Sequence, residues 1–138
     1  IGARTAEDIK KEIGSALPLD KPMKMQIRGR DVVAGLPKTI ELNSTDVTDS
    51  ISERLDDIIL AVKAVLEQTP PELSSDIIDR GMIMTGGGSL LRNIDKLMTK
   101  VTGVPSYVAE EPLLCVVKGT GIALENLDDY MRSVISNR

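Results

Sequence analysis

The sequence predicts an α/β fold in two units, and three observations carry that reading. Met82 to Met84 is a short apolar run, followed by Gly86-Gly87-Gly88; beyond it Leu90, Leu91, Ile94, Leu97, Met98 and Val101 recur at helical spacing. Met23 to Arg28 and Thr39 to Leu42 alternate apolar and polar residues, the period of half-buried strands. Between these regions Val47, Ile51, Leu55, Ile58, Ile59, Val62, Val65 and Leu66 keep one apolar stripe over about six helical turns. The first unit therefore reads helix, hairpin, long helix. The second reads β-α-β-α.

Thr5-Ala-Glu-Asp8 has the form of a helix start, with Thr5 as N-cap and an acid three residues on. Ile9 and Ile13 mark its buried side, and Gly14-Ser15 begins the exit that Pro18 completes. In the hairpin, Gly29-Arg30-Asp31 and Gly35-Leu36-Pro37 supply turn residues for a long, irregular connection. Lys21, Lys24, Arg28, Arg30 and Lys38 form the densest basic group and read as the hairpin's solvent face rather than a polyanion site. Asn43-Ser-Thr-Asp46 opens the long helix and Pro70-Pro71 ends it, with Pro71 starting a short helix that reaches Ile78.

The three glycines predict a tight turn between strand and helix N-terminus, with Gly87 at positive φ. Without Cβ atoms a ligand can lie against backbone, and the helix's free N–H groups could face a nucleotide. A plain β–α turn that binds nothing fits the same three glycines, and the spacing is neither a phosphate-loop nor a dinucleotide motif. Gly103 closes the following helix, Val104 to Ala109 reads as a second strand, and Pro112 occupies the first position of another helix. Leu113 to Val117 is apolar nearly all round, which predicts a buried helix with Cys115 as a buried structural thiol. Leu127, Tyr130, Met131, Val134 and Ile135 mark a final amphipathic helix.

Composition excludes several function classes. A net charge of −4 with interspersed signs leaves no basic patch for general nucleic-acid binding. No histidine is present, so the commonest general base and metal ligand is missing. Two Tyr with no Phe or Trp nearly exclude stacking of bases or sugars on aromatic rings. A single Cys allows no internal disulfide and fits a reducing cytoplasm. At 138 residues the chain suits one medium domain or two small subdomains sharing an interface.

Several stretches together resemble one family. They are Ile-Gly-x-x-Thr-Ala-Glu-x-Ile-Lys at 1–10, Arg-Gly-Arg-Asp at 28–31 and Gly-Leu-Pro-Lys at 35–38. Thr-Pro-Pro-Glu-Leu at 69–73, Asp-Ile-Ile-Asp-Arg-Gly at 76–81, Thr-Gly-Gly-Gly-Ser-Leu-Leu-Arg at 85–92 and Glu-Glu-Pro-Leu at 110–113 continue the pattern. The chain resembles the MreB/Mbl family of bacterial actin-like, rod-shape-determining proteins from residue 1 to about residue 126.

The resemblance implies a partial actin-like ATPase (ribonuclease H-like) fold, with residues 1–68 as subdomain IIB and 69–138 as the C-terminal half of subdomain IIA. It implies ATP as cofactor, with magnesium in the full-length parent. Glu7, Asp8, Ile9 and Lys10 would lie at the ribose and adenine, and Gly86, Gly87, Gly88, Ser89 and Leu90 would pass beneath the adenosine. It implies a filament-forming, cytoplasmic, membrane-associated parent that maintains rod shape with the cell-wall synthesis machinery, touching the membrane through its missing part. No catalytic or metal-ligating residue carries over.

On that plan the phosphate loops and catalytic acids lie outside this chain, so the chain alone is expected neither to hydrolyse ATP nor to hold adenosine tightly. With little of the IIA sheet present, it is also expected to self-associate along an open edge. A sugar or acetate kinase sharing the fold would need acceptor-substrate residues that the sequence does not match. A ligand-free α+β interaction module would make the motif matches coincidental.

Overall fold

A computed structural model describes residues 1–128, 130 and 131. Helix α1 (Ala3–Ile13) leads to the antiparallel hairpin of β1 (Lys24–Arg30) and β2 (Pro37–Asn43), and then to α2 (Ser44–Glu67). Next come α3 (Pro71–Arg80), β3 (Met82–Met84), a 3-10 helix at Gly87–Leu90, α4 (Ile94–Thr102), β4 (Ser106–Val108) and α5 (Cys115–Glu125). Strands β3 and β4 pair in parallel, Met82 opposite Ser106 and Met84 opposite Val108, so β3-α4-β4 is a βαβ unit. As far as α5 the predicted order of helices and strands is the observed one.

Helix α2 is the spine. Its start places Val47 against Ile9, Ile13 and Ile27, with Met25 and Leu42 alongside. Two turns later Leu55 packs with Ala16, Ile94, Leu97 and Met98, and Ile51, Ile59 and Val62 flank that second cluster. The apolar stripe read from the sequence thus serves both cores. Ile58 and Val65 stay exposed, so the stripe is wider than the surface these elements cover.

The start of α2 is a capping box. Asn43 Oδ1 accepts from the N–H groups of Thr45 at 2.8 Å and Asp46 at 3.0 Å, and Asp46 Oδ2 accepts from Asn43 N–H at 3.1 Å. Asn43→Ala removes the acceptor and should cost about 1 kcal/mol, whereas Asn43→Asp should cost much less. Urea unfolding of both variants checks this; equal midpoints for Asn43→Ala and the parent chain would contradict it.

Three local expectations need correction. Helix α1 begins at Ala3, ahead of Thr5, with Gly2 as an N-cap that makes no side-chain bond. Ala3 and Arg4 are good helix formers and extend the turn that Thr5 was expected to cap. Helix α4 does not follow directly on the glycine turn at Leu90 but begins at Ile94, because the glycine-rich stretch makes only a 3-10 helix over Gly87–Leu90. Pro112 lies in a turn rather than at a helix start, since Glu111 before it takes φ 47° and Leu114 N–H closes onto Glu111 O at 2.7 Å.

Helix α5 also departs from expectation: it buries no residue. Val116 is 75% exposed, and Leu113, Val117, Ile122 and Leu124 are exposed as well. Its apolar composition describes a helix meant to be covered, and among the described residues no element covers it. Cys115 is half-buried, with Sγ 3.7 Å from the carbonyls of Glu110 and Glu111. In the final predicted helix Leu127, Tyr130 and Met131 are exposed, while Val134 and Ile135 lie outside the described residues.

Candidate functional site

The glycine loop leaves β3 through Thr85 and turns at Gly86, whose φ of 81° and ψ of 176° belong to a region open essentially to glycine alone. Gly86 N–H donates to Pro112 O at 2.8 Å, pinning the turn to the segment after β4. Ser89 is buried, and its Oγ donates back to Gly86 O at 2.7 Å, closing the 3-10 helix on itself. Leu90 points outward, 57% exposed.

The expectation of positive φ at Gly87 is wrong; the special conformation sits one residue earlier. Built Cβ atoms at Gly86 and Gly88 would meet nothing within 4 Å, and one at Gly87 would touch only Leu113 Cδ2 at 3.5 Å. The loop therefore presents open, side-chain-free backbone to solvent. The absent Cβ atoms leave room that the fold itself does not use.

On α1, Glu7 and Lys10 are paired with each other at 2.6 Å, with Lys11 at 3.7 Å on the other oxygen of Glu7. The bond from Lys10 holds the Glu7 carboxyl below its ordinary range against opposing desolvation, with the charges of Lys10 and Lys11 adding to the lowering. Glu7 is thus an anionic acceptor on an accessible face. Asp8 is exposed beside it. Ile9 is buried among Ile13, Ile27 and Val47, so its side chain faces the core.

The two segments are joined by residues that sequence reasoning did not single out. Ser15, just past α1, is fully buried. Ala16 N–H donates to Arg92 O at 2.8 Å, and Asn93 Nδ2 donates to Ser15 Oγ at 3.0 Å. Thr48 Oγ1 on α2 donates to Ser15 O at 2.9 Å. The end of α1 and the end of the glycine loop therefore meet at one buried polar seam. Gly14-Ser15 looked like a helix exit, and nothing in the local pattern announced its partner.

Two concavities among the described residues lie away from the glycine loop and from Glu7. One, of about 240 Å³, is lined by Leu17, Pro18, Leu19, Asp20, Asn93 and Lys96; the other, of about 330 Å³, lies between Leu66, Ile77, Ile78 and Val104. Among the described residues no cluster of acidic, Cys or His side chains could hold a metal ion, and no helix is long and apolar enough to cross a membrane.

Comparison with known proteins gives the family. The model of the MreB/Mbl protein family matches residues 1–132. The cell shape-determining protein Mbl of Bacillus cereus is 52% identical over 128 residues, covering 93% of this chain and 38% of the relative. The cell shape-determining protein MreB of Escherichia coli K12 is also 52% identical over 128 residues, with 93% of this chain and 37% of the relative covered. The crystal structure of MreB5 of Spiroplasma citri bound to ADP superposes with a TM-score of 0.89 at 39% identity, covering 96% of this chain and 40% of that one. The chain thus spans well under half the length of the relatives it matches. It belongs to the MreB/Mbl family and carries part of the actin-like fold.

Proposed function

We propose that this chain is one wall of the adenine-nucleotide cleft of a filament-forming bacterial actin homologue, in which residues 1–68 are subdomain IIB and 69–138 the C-terminal half of subdomain IIA. The observation that carries the proposal is the open backbone of Gly86–Gly88, tied through Ser15 to the helix that bears Glu7. Bare backbone can accept the flat face of adenine, and an anionic Glu7 can accept hydrogen bonds from ribose hydroxyls. Asp8, Lys10, Ser89 and Leu90 stand at the margins of that wall, and Ile9 anchors α1 from behind.

The ADP held by the Spiroplasma relative supports the nucleotide. ATP would bind with its phosphates and magnesium directed toward the part of the parent outside this chain. The described residues offer no donor cluster for that ion. In the same reading the parent is cytoplasmic, assembles with copies of itself, touches the membrane through its other part, and organises cell-wall synthesis to keep the cell rod-shaped.

Gly87→Val in the full-length parent tests the site. Gly87 has no positive φ, and a Cβ there would make only an ordinary contact with the Leu113 side chain, so the variant should fold normally. Its branched side chain would occupy the space assigned to the purine. Fluorescent ATP-analogue titration should show affinity reduced at least about tenfold and nucleotide-dependent light scattering lost, with the melting temperature little changed. Normal affinity in a normally folded variant would overturn the assignment.

A further inference from the structure

Two asparagines in this chain occupy the same helical position and behave oppositely. Asn43, the N-cap of α2, is extended at φ −114° and spends its side chain on the N–H groups of Thr45 and Asp46. Asn93, the N-cap of α4, takes the left-handed region at φ 60° and caps nothing. Its amide instead reaches Ser15 Oγ across 78 residues of sequence. A helix start would ordinarily favour the capping geometry and an extended backbone. Both local preferences are given up for one long-range bond.

The hydrogen-bond accounting around Ser15 shows how tightly that bond is built in. The one proton of Ser15 Oγ has Leu17 O at 2.6 Å and Arg92 O at 3.3 Å as acceptors, and the oxygen receives Asn93 Nδ2 at 3.0 Å and Leu17 N–H at 3.4 Å. Ser15 O receives Thr48 Oγ1, whose proton is shared with Ser44 O, both at 2.9 Å. Ser44 Oγ in turn accepts from Met23 N–H at 3.1 Å. Ser15, Ser44 and Thr48 are each less than a tenth exposed, so water cannot replace a lost partner cheaply. The seam runs from the loop before α4, past the end of α1, to the start of α2 and the hairpin.

Both segments of the proposed nucleotide wall end at this seam. Asn93 follows closely on Ser89 and Leu90, and Ser15 follows on Glu7 and Lys10 with little more than one helical turn after Lys10. We propose that Ser15 and Asn93 are positioning residues: their bond fixes α1 against the glycine loop and so sets the width of the adenosine-binding wall, and through Thr48 it couples nucleotide occupancy to the hairpin unit. They touch no nucleotide themselves. The inference rests on the nucleotide reading given above.

The test uses the full-length parent and a fluorescent ATP analogue, with Gly87→Val carried alongside. Asn93→Gly removes the amide while tolerating φ 60°, and Ser15→Ala removes its acceptor with little change of volume. Each is expected to lower analogue affinity at least about fivefold, the lower end of coupling between linked sites. The double variant should be no weaker than Ser15→Ala alone, because that variant already deletes the bond that Asn93→Gly removes. If Gly87→Val abolishes binding while Ser15→Ala and Asn93→Gly bind normally once folded, showing only a lower melting temperature, the seam is merely structural and the proposal fails alone. If Gly87→Val binds normally, the nucleotide reading fails and the positioning role falls with it. Additive losses in the double variant would also overturn it.

Discussion

Gly81→Ala should remove roughly 3 kcal/mol or more from the stability of the chain, because strain and collision add at one site. Gly81 joins α3 to β3 at φ 79° and ψ −174°, a conformation that L side chains rarely adopt. A Cβ there would also lie 2.5 Å from Pro105 O and 2.9 Å from the ring of Tyr107. Pro105 O cannot retreat freely, since it accepts from Met82 N–H at 2.7 Å, the bond that begins the β3–β4 ladder. A protein of this size has only about 5–15 kcal/mol in total, so the loss should be plain in urea unfolding. Gly103 is the control. It also has positive φ, 74°, but in the region asparagine tolerates and with nothing within 4 Å of a Cβ. Gly103→Asn should cost under about 1 kcal/mol. Equal effects at Gly81 and Gly103 would show that the close approach to Pro105 does not matter.

The chain by itself should be a dimer or larger assembly when concentrated. Its parallel sheet is two strands of three residues each, so both outer edges carry unpaired backbone groups. Within that sheet Ile83 is 71% exposed and Tyr107 55%, and on α5 Val116, Val117, Ile122 and Leu124 are exposed as well. A two-stranded sheet buries too little to stand unaided, and a second copy offers both a strand edge and further exposed apolar side chains. Sedimentation equilibrium over a wide concentration range should show mass rising with concentration, and Val116→Lys should shift the chain toward monomer. A well-folded monomer throughout would mean that the molecule hides this face by repacking.

Much of the fold was legible because its signals are local. The period-2 alternation of Met23 to Arg28 needs only neighbouring residues, and so does the Asn43–Asp46 capping box that starts α2. The stripe from Val47 to Leu66 set the length of α2 in the same way. Near the glycines the reading was coarser. Three glycines announce a turn but not which one takes positive φ, since each can do so at little cost. Gly86 takes it because its N–H is drawn to Pro112 O, a contact with a distant segment.

By itself, then, the sequence determined the order of elements as far as α5, the buried side of α1 at Ile9 and Ile13, and the presence of a bare backbone loop after β3. Propensity, capping and hydrophobic period act over a few residues and can be read along the chain. Tertiary structure alone decided that Asn93 gives up its cap for Ser15, that α2 serves two cores, and that the apolar α5 is left uncovered. Each depends on which distant groups are brought together, and a buried polar atom takes whichever partner the fold supplies because water is no longer available to it.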